Sequence, residues 1–167
     1  MGSIVRSNSA LLQTALDHWH RLRGGRRLPL RGDFDPAEVP ALLPYVIVAD
    51  VLRDPPDFQF RLLGTAIDRV FGGNFRGKRY SELKHTQPGS AIWDEYCRVA
   101  AEATPHCATV GYFGADHAVH RAEQVLMPFS DTGESVDMLL AVVAVKLRPT
   151  PVAIPEPRRR AAAAPRA

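Results

Sequence analysis

The sequence is poor in the residues and runs that most often reveal a chemistry. Its two cysteines, Cys97 and Cys107, form no CxxC pair, so neither a disulfide scaffold nor a zinc finger is indicated. The most apolar run, MLLAVVAV from Met138, is too short to cross a bilayer, and the first residues lack the apolar segment of a secretory signal. We therefore expect a cytoplasmic protein with reduced thiols and no membrane span.

The body of the chain also lacks basic charge. The first 27 residues and residues 148–167 each carry a net charge of +4, whereas the residues between them carry −5. Nucleic-acid-binding domains concentrate basic charge on their folded part. The three arginines at 158–160 would bind a polyanion only weakly at physiological salt. No specific nucleic-acid partner is expected.

The stretch FRLLGTAIDRVFGGNFRGKRYSEL at residues 60–83 is divided by four glycines, Gly64, Gly72, Gly73 and Gly77. Phosphate-binding loops need the spacing GxGxxG or GxxxxGK[ST], and neither is present. Thr65 and Asp68 have the spacing of a capping box for a short helix that runs through Phe71. Gly64 would end the preceding strand, Gly72 or Gly73 would end that helix, and Gly77 would form a turn. They are therefore predicted to separate very short helices.

Helical and strand patterns alternate along the rest of the chain. Apolar residues at helical spacing between Leu11 and Leu22 predict an amphipathic helix, capped by a preceding serine or asparagine and ended by Gly24. Asp35 before Pro36 predicts a short helix, because aspartate is a good cap and proline suits the first helical position. A longer helix is predicted at 90–104. Five strands are predicted to begin near Tyr45, Asp57, Cys107, His120 and Val136.

The second strand shows the alternation of a half-buried strand. Phe58, Phe60 and Leu62 are predicted to face the core. Gln59 and Arg61 are predicted to face the other way. We expect Arg61 to be solvated or salt-bridged, with the alternative that it anchors an acidic ligand or partner.

The order of these elements predicts an α+β fold. Five antiparallel strands form one sheet, short helices lie between strands 2 and 3, and an amphipathic helix precedes the sheet. The predicted divisions are an N-terminal helix at 1–27, a domain at 28–148, and a tail at 149–167. The tail is rich in Pro, Ala and Arg and is expected to be disordered.

Three stretches carry a resemblance to a known family: LPLRGDFDPAEVPALLPYV from Leu28, FRLLGT…FGGNFRGKRYSEL from Phe60, and LMPFSDTGESVD from Leu126. Together they resemble the PAS domain family, and most of all a bacterial branch in which one PAS domain fills nearly the whole chain. The resemblance implies a five-stranded sheet that encloses a small cavity with short helices. It also implies a non-enzymatic sensor or adaptor in signal transduction, which binds a small ligand, a protein partner or both.

Candidate pocket residues follow from the resemblance, since they lie on elements that would border such a cavity: Phe71, Tyr80, Trp93, Tyr112 and Met127. The cofactor is left open. A covalent flavin photosensor would have cysteine after asparagine in the short helices, but here Asn74 precedes Phe75. His85 is the best candidate for a haem ligand, although a polar loop position is the more ordinary interpretation. No metal site is expected.

A partner contact is predicted on the first helix. Its apolar stripe, Leu12, Leu16 and Trp19, would lie against a second copy, as in a homodimer, or against its own sheet. Two other functions remain open. One is a small cone-shaped isomerase-like enzyme with an apolar pocket and a buried carboxylate base. The acidic residues occur mostly at predicted caps and turns, and this disfavours the enzyme. The other is a ligand-free interaction scaffold.

Overall fold

The computed structural model describes residues 9–111 and 119–147, and of residues 119–120 and 146–147 it describes the backbone. Three α-helices lie in this part of the chain: α1 (Ala10–Arg23), α2 (Thr65–Phe71) and α3 (Ala91–Glu102). The strands are β1 (Val46–Arg53), β2 (Pro56–Leu63), β3 (His106–Val110), β4 (Val119–Phe129) and β5 (Met138–Leu147). Single 3₁₀ turns lie at Arg31–Asp33, Pro36–Glu38, Leu43–Tyr45 and Tyr80–Glu82.

The five strands form one antiparallel sheet in the order β2-β1-β5-β4-β3. The predicted α+β fold is therefore confirmed, with α2 and the Tyr80–Glu82 turn between the second and third strands. β5 lies in the middle and is buried at every position from Met138 to Val143. Its side chains alternate between the two faces, so both faces of the sheet need an apolar cover.

Helix α1 covers one face of the sheet. Leu12, Leu16 and Trp19 are each 1–2% exposed and belong to the same core as β4 and β5. The indole Nε1 of Trp19 donates a hydrogen bond of 2.8 Å to the carbonyl oxygen of Pro128 on β4. Of the two contacts predicted for the stripe, the structure shows the one with the chain's own sheet and not the one with a second copy, because the apolar face of β4 and β5 is available within the same chain.

Several predicted helix ends are confirmed, and two caps differ. Gly24 ends α1, and its N–H bonds to the carbonyl of His20; Gly72 ends α2 with a left-handed φ of 70°. Ser90 caps α3, its side chain accepting from the N–H of Trp93. Ser9 precedes α1 without a side-chain capping bond, and Gly64 rather than Thr65 stands at the N-cap of α2.

A β-bulge in β2 overturns one detail of the predicted alternation. Ala49 pairs with Phe60 and Val48 pairs with Leu62, so Arg61 has no partner across the ladder. The extra residue reverses the side-chain direction beyond it. Leu62 is consequently 48% exposed, and Leu63 takes the inward position.

Gly64 allows two backbone segments to approach closely. A Cβ atom on this residue would lie 2.2 Å from the carbonyl oxygen of Leu43 and 2.4 Å from that of Pro44. Its φ is −69°, so the requirement is for space rather than for a left-handed conformation. The residue therefore holds the start of α2 against the Leu43–Tyr45 turn.

The tail predicted at 149–167 lies outside the described residues. In the part of the chain that the structure describes, no helix is both long enough and apolar enough to traverse a bilayer.

We predict that Gly64→Ala destabilises the protein by about 3 kcal/mol, because the clash is with backbone atoms that cannot rotate away. Gly25→Ala is the matched control, since a Cβ there meets nothing within 4 Å. Urea denaturation of both variants measures the difference. Equal midpoints for the two would contradict the proposed close approach.

We predict that Trp19→Phe lowers the free energy of unfolding by about 1–3 kcal/mol, because it leaves the buried Pro128 carbonyl without its donor. The matched control is Trp93→Phe, at a half-buried position on α3. Thermal and denaturant unfolding should show a clearly smaller loss for the control. A loss for Trp19→Phe no greater than that of the control would show that the hydrogen bond has little importance.

Candidate ligand-binding cavity

An apolar cavity of about 210 Å³ lies on the face of the sheet opposite α1. The sheet contributes its floor, with Ile47, Phe60, Leu63, Ala122, Gln124, Val143 and Val145. The segment from α2 to the Tyr80–Glu82 turn forms the roof, with Ile67, Val70, Phe71, Phe75, Tyr80 and Leu83. Ile92 and Tyr96 of α3 and Val110 and Gly111 at the end of β3 complete the wall.

The roof is attached to the edge strand β2 by backbone hydrogen bonds. The N–H of Gly77 donates to the carbonyl of Phe60 at 2.7 Å, and the N–H of Phe60 donates to the carbonyl of Lys78 at 3.0 Å. Gly77 has a φ of 81°, a conformation that glycine adopts without strain. The glycine-rich segment thus satisfies part of an otherwise unpaired strand edge while crossing over the cavity.

A buried carboxylate fixes the far end of the roof. Asp57 of β2 accepts hydrogen bonds from the hydroxyl of Ser81 at 2.5 Å and from its backbone N–H at 3.3 Å. This holds the Tyr80–Glu82 turn, so that the ring of Tyr80 stacks on Phe60 with centroids 4.1 Å apart. Asp57 therefore has a structural role and does not line the cavity.

Two tyrosines form the most deeply buried polar pair at the cavity. The rings of Tyr80 and Tyr96 lie 4.8 Å apart, and their hydroxyl groups interact. Burial raises the pKa of Tyr96 to about 12; the interaction with Tyr80 opposes this shift, and the charge of Glu95 adds to it. Burial also raises the pKa of Tyr80, and Tyr96 adds to that shift through its charge and its hydrogen bond. Both hydroxyls are therefore neutral at physiological pH.

Gln124 is the buried amide of the cavity. It is 4% exposed, and its Nε2 atom has no hydrogen-bond partner among the described residues. It was not among the predicted site residues. The strand alternation of β4 could have indicated it, because Ala122 and Gln124 share the cavity face.

The rim differs from the interior. Lys84 and His85 are exposed where the cavity meets solvent, and Thr86 beside them donates its hydroxyl to the carbonyl of Tyr80 at 2.8 Å. No aspartate or glutamate lines the cavity among the described residues. Nor do the described residues contain a group of three or more His, Cys, Asp or Glu side chains suited to a metal. The suggestion of His85 as a haem ligand stays a prediction.

The structure brings together only some of the predicted pocket residues. Phe71 and Tyr80 line the cavity. Trp93 instead lies against Phe58, with ring centroids 5.3 Å apart, and borders a separate open groove. It follows the cavity residue Ile92 by one position on α3, and this rotation of about 100° around the helix directs it toward the other end of β2.

Of the other three predicted residues, two lie away from the cavity and one is not among the described residues. Met127 packs on the α1 face, because it is an odd number of residues from Gln124 along the same strand. Arg61 is exposed at the bulge, and its Nη1 atom lies 3.3 Å from the carboxylate of Asp50, as the simpler interpretation expected. Tyr112 lies outside the described residues.

We predict that the buried tyrosines make the protein lose stability at alkaline pH. An unfolded tyrosine ionises near pH 10, whereas Tyr96 in the fold resists ionisation until about pH 12. The unfolded state therefore binds fewer protons between these values, and the free energy of unfolding falls by roughly 2–3 kcal/mol for this group. Denaturation at pH 8, 10 and 11 follows the onset of this loss, of which roughly half should have appeared by pH 11.

Tyr96→Phe should remove this residue's share of the alkaline loss. Tyr45→Phe, at a half-buried position away from the cavity, serves as the control. An alkaline loss that is the same in both variants and in the native protein would contradict the assignment.

Comparison with known proteins agrees with this architecture. A family profile described as the PAS domain matches residues 7–144, which is most of the chain and includes α1 and the greater part of β5. No curated protein matches the chain. Membership of the bacterial single-domain branch stays a prediction. By fold and by family profile, the chain belongs to the PAS domain family.

Proposed function

We propose that this protein is a non-enzymatic sensor or adaptor in signal transduction that takes a small, mainly apolar molecule into the cavity. The observation that carries the proposal is the unfilled space of about 210 Å³ between the sheet and the roof. Protein interiors are normally close-packed, with few voids larger than a water molecule. A void of this size favours a ligand-binding domain over a ligand-free scaffold.

The construction of the roof supports a sensing role. α2 has seven residues, and the Tyr80–Glu82 turn has three. Elements this short bury little area each, so they can be displaced at modest cost in free energy. A ligand that binds one roof position better than another shifts the population toward it. The roof also carries exposed residues that are accessible to a protein partner.

Protein contact is the proposed output. The stripe on α1 is occupied by the sheet, so a partner or a second copy would have to use another surface. Homodimerisation remains part of the proposal and is tested by the mass of the protein in solution. A cytoplasmic location is also proposed, because Cys97 and Cys107 are both free, as thiols are in a reducing compartment.

The enzyme alternative has less support. An isomerase of the cone-shaped type needs a carboxylate base in its pocket. Asp57, the buried acid nearest the roof, is engaged by Ser81, and Asp35 caps the Pro36–Glu38 turn by accepting from the N–H of Ala37. These contacts are structural.

The direct test is to purify the protein, record its absorption spectrum, and analyse a solvent extract by mass spectrometry. A chromophore or a co-purified apolar molecule would support the proposal. Benzene provides a probe that needs no hydrogen bond, since an apolar cavity of about 150 Å³ suffices to bind it. Failure of benzene to shift the NMR signals of cavity residues, together with an empty extract, would overturn ligand binding.

We predict that Ala122→Leu abolishes benzene binding and leaves the fold intact. The added carbons enter the cavity from the floor, where there is room for them. Filling a void commonly stabilises a protein by about 0.5–2 kcal/mol, so the melting temperature should rise. NMR titration and thermal unfolding provide the two measurements.

Ala91→Leu is the matched control, because it makes the same change at an exposed position on α3. It should bind benzene as the native protein does. Undiminished binding by the Ala122→Leu variant would place the ligand outside this cavity.

A further inference from the structure

We propose that the ligand is an uncharged molecule with an apolar body and one hydrogen-bond acceptor, such as a carbonyl oxygen, that receives the amide N–H of Gln124. The inference rests on the proposed function, because it specifies the chemistry of the same cavity. It adds a residue that selects the ligand and a chemical class for what is selected.

The unpaired amide is the first observation. Gln124 lies in the middle of β4, where it pairs across the sheet with Ala108 of β3 on one side and with Val143 of β5 on the other. Its side chain is almost fully buried and lines the cavity, yet Nε2 has no partner among the described residues. A buried donor without an acceptor is costly, and native structures contain few of them. An acceptor supplied by a ligand would remove that cost.

The other polar groups around the cavity already have partners. The hydroxyls of Tyr80 and Tyr96 interact with each other. Thr86 donates to the carbonyl of Tyr80. Among the buried polar side-chain atoms of the described cavity lining, Nε2 of Gln124 is therefore the one without any partner. The ligand accordingly needs an acceptor opposite this atom.

The interior also determines the charge of the ligand. Among the described residues, no ionisable acidic or basic side chain lines the buried part, because Lys84 and His85 lie at the exposed rim. An ion transferred into such a space would lose its hydration without gaining a counter-charge. The ligand is therefore neutral where it is buried.

The volume sets the size. The cavity is larger than the engineered void of about 150 Å³ that accepts benzene. At about 210 Å³ it has room for one ring with a short substituent, or on the order of ten non-hydrogen atoms. A small aromatic ketone meets all three requirements.

Three probes of nearly equal size separate these requirements. Acetophenone has the carbonyl acceptor, α-methylstyrene replaces that oxygen by a methylene group, and benzoate carries a negative charge. Calorimetric or NMR titration gives the dissociation constant of each. We expect the native protein to bind acetophenone about three- to tenfold more tightly than α-methylstyrene, the ratio that one net hydrogen bond produces. Benzoate should bind more weakly than either.

Gln124→Leu keeps the approximate volume and removes the donor. It should bind acetophenone and α-methylstyrene equally well. Gln87→Leu is the matched control, because Gln87 is exposed and does not line the cavity, and it should retain the preference. The unliganded Gln124→Leu protein should also melt at a higher temperature than the native protein, since an unpaired buried donor has been replaced by an apolar group.

The outcomes distinguish the two levels of the proposal. Equal binding of acetophenone and α-methylstyrene by the native protein, or a preference that persists in Gln124→Leu, overturns the role of Gln124 and leaves ligand binding intact. Tightest binding of benzoate overturns the neutral class in favour of a rim interaction. If neither benzene nor any of the three probes binds and the solvent extract is empty, the proposed function fails, and this inference fails with it.

A readout on the native protein covers the case in which Gln124→Leu does not fold. The side-chain amide proton signals of Gln124 in ¹⁵N-labelled protein should move downfield with acetophenone, because a hydrogen bond forms, and should not move downfield with α-methylstyrene. Equal shifts with both probes would overturn the inference.

Discussion

Because β5 is apolar at nearly every position and lies in the middle of the sheet, both faces of that sheet must be kept from water. The rest of the structure depends on how this requirement is met. On one face, α1 supplies a complete cover, which the Trp19–Pro128 hydrogen bond fixes in place. On the other face, short helices and turns supply an incomplete one. The cavity is the space that this second cover leaves unfilled.

The two covers differ because their segments are attached differently. Helix α1 is one continuous element of 14 residues with a buried apolar stripe. The roof is interrupted by glycines, tied to the edge of β2 by backbone bonds, and held at its far end by Asp57. A segment built in this way keeps its position without filling the space beneath it. Stability is thereby concentrated on the α1 face, while the cavity face retains the freedom that the proposed sensing role requires.

Much of the fold could be predicted from local pattern, whereas the site could be predicted only in part. The α1 helix, the β1–β2 hairpin and the helix-ending role of Gly72 follow from residues that lie close together in sequence. The face of the sheet toward which each side chain points is harder to predict. A single bulged residue in β2 reverses Leu62, and an odd offset along β4 separates Met127 from Gln124. Trp93 was expected at the cavity because its helix borders it, but the helical phase turns it away.

The sequence by itself determined the order and ends of the elements, and through three motifs it indicated the PAS domain family. Those features depend on the backbone preferences of glycine and proline and on the spacing of apolar residues, which act over a few positions. The tertiary structure alone decided that the α1 stripe meets its own sheet, that Gly64 serves close approach, and that a buried amide lacks a partner. These depend on which distant segments meet and how completely their side chains fill the space between them, and no local pattern contains that information.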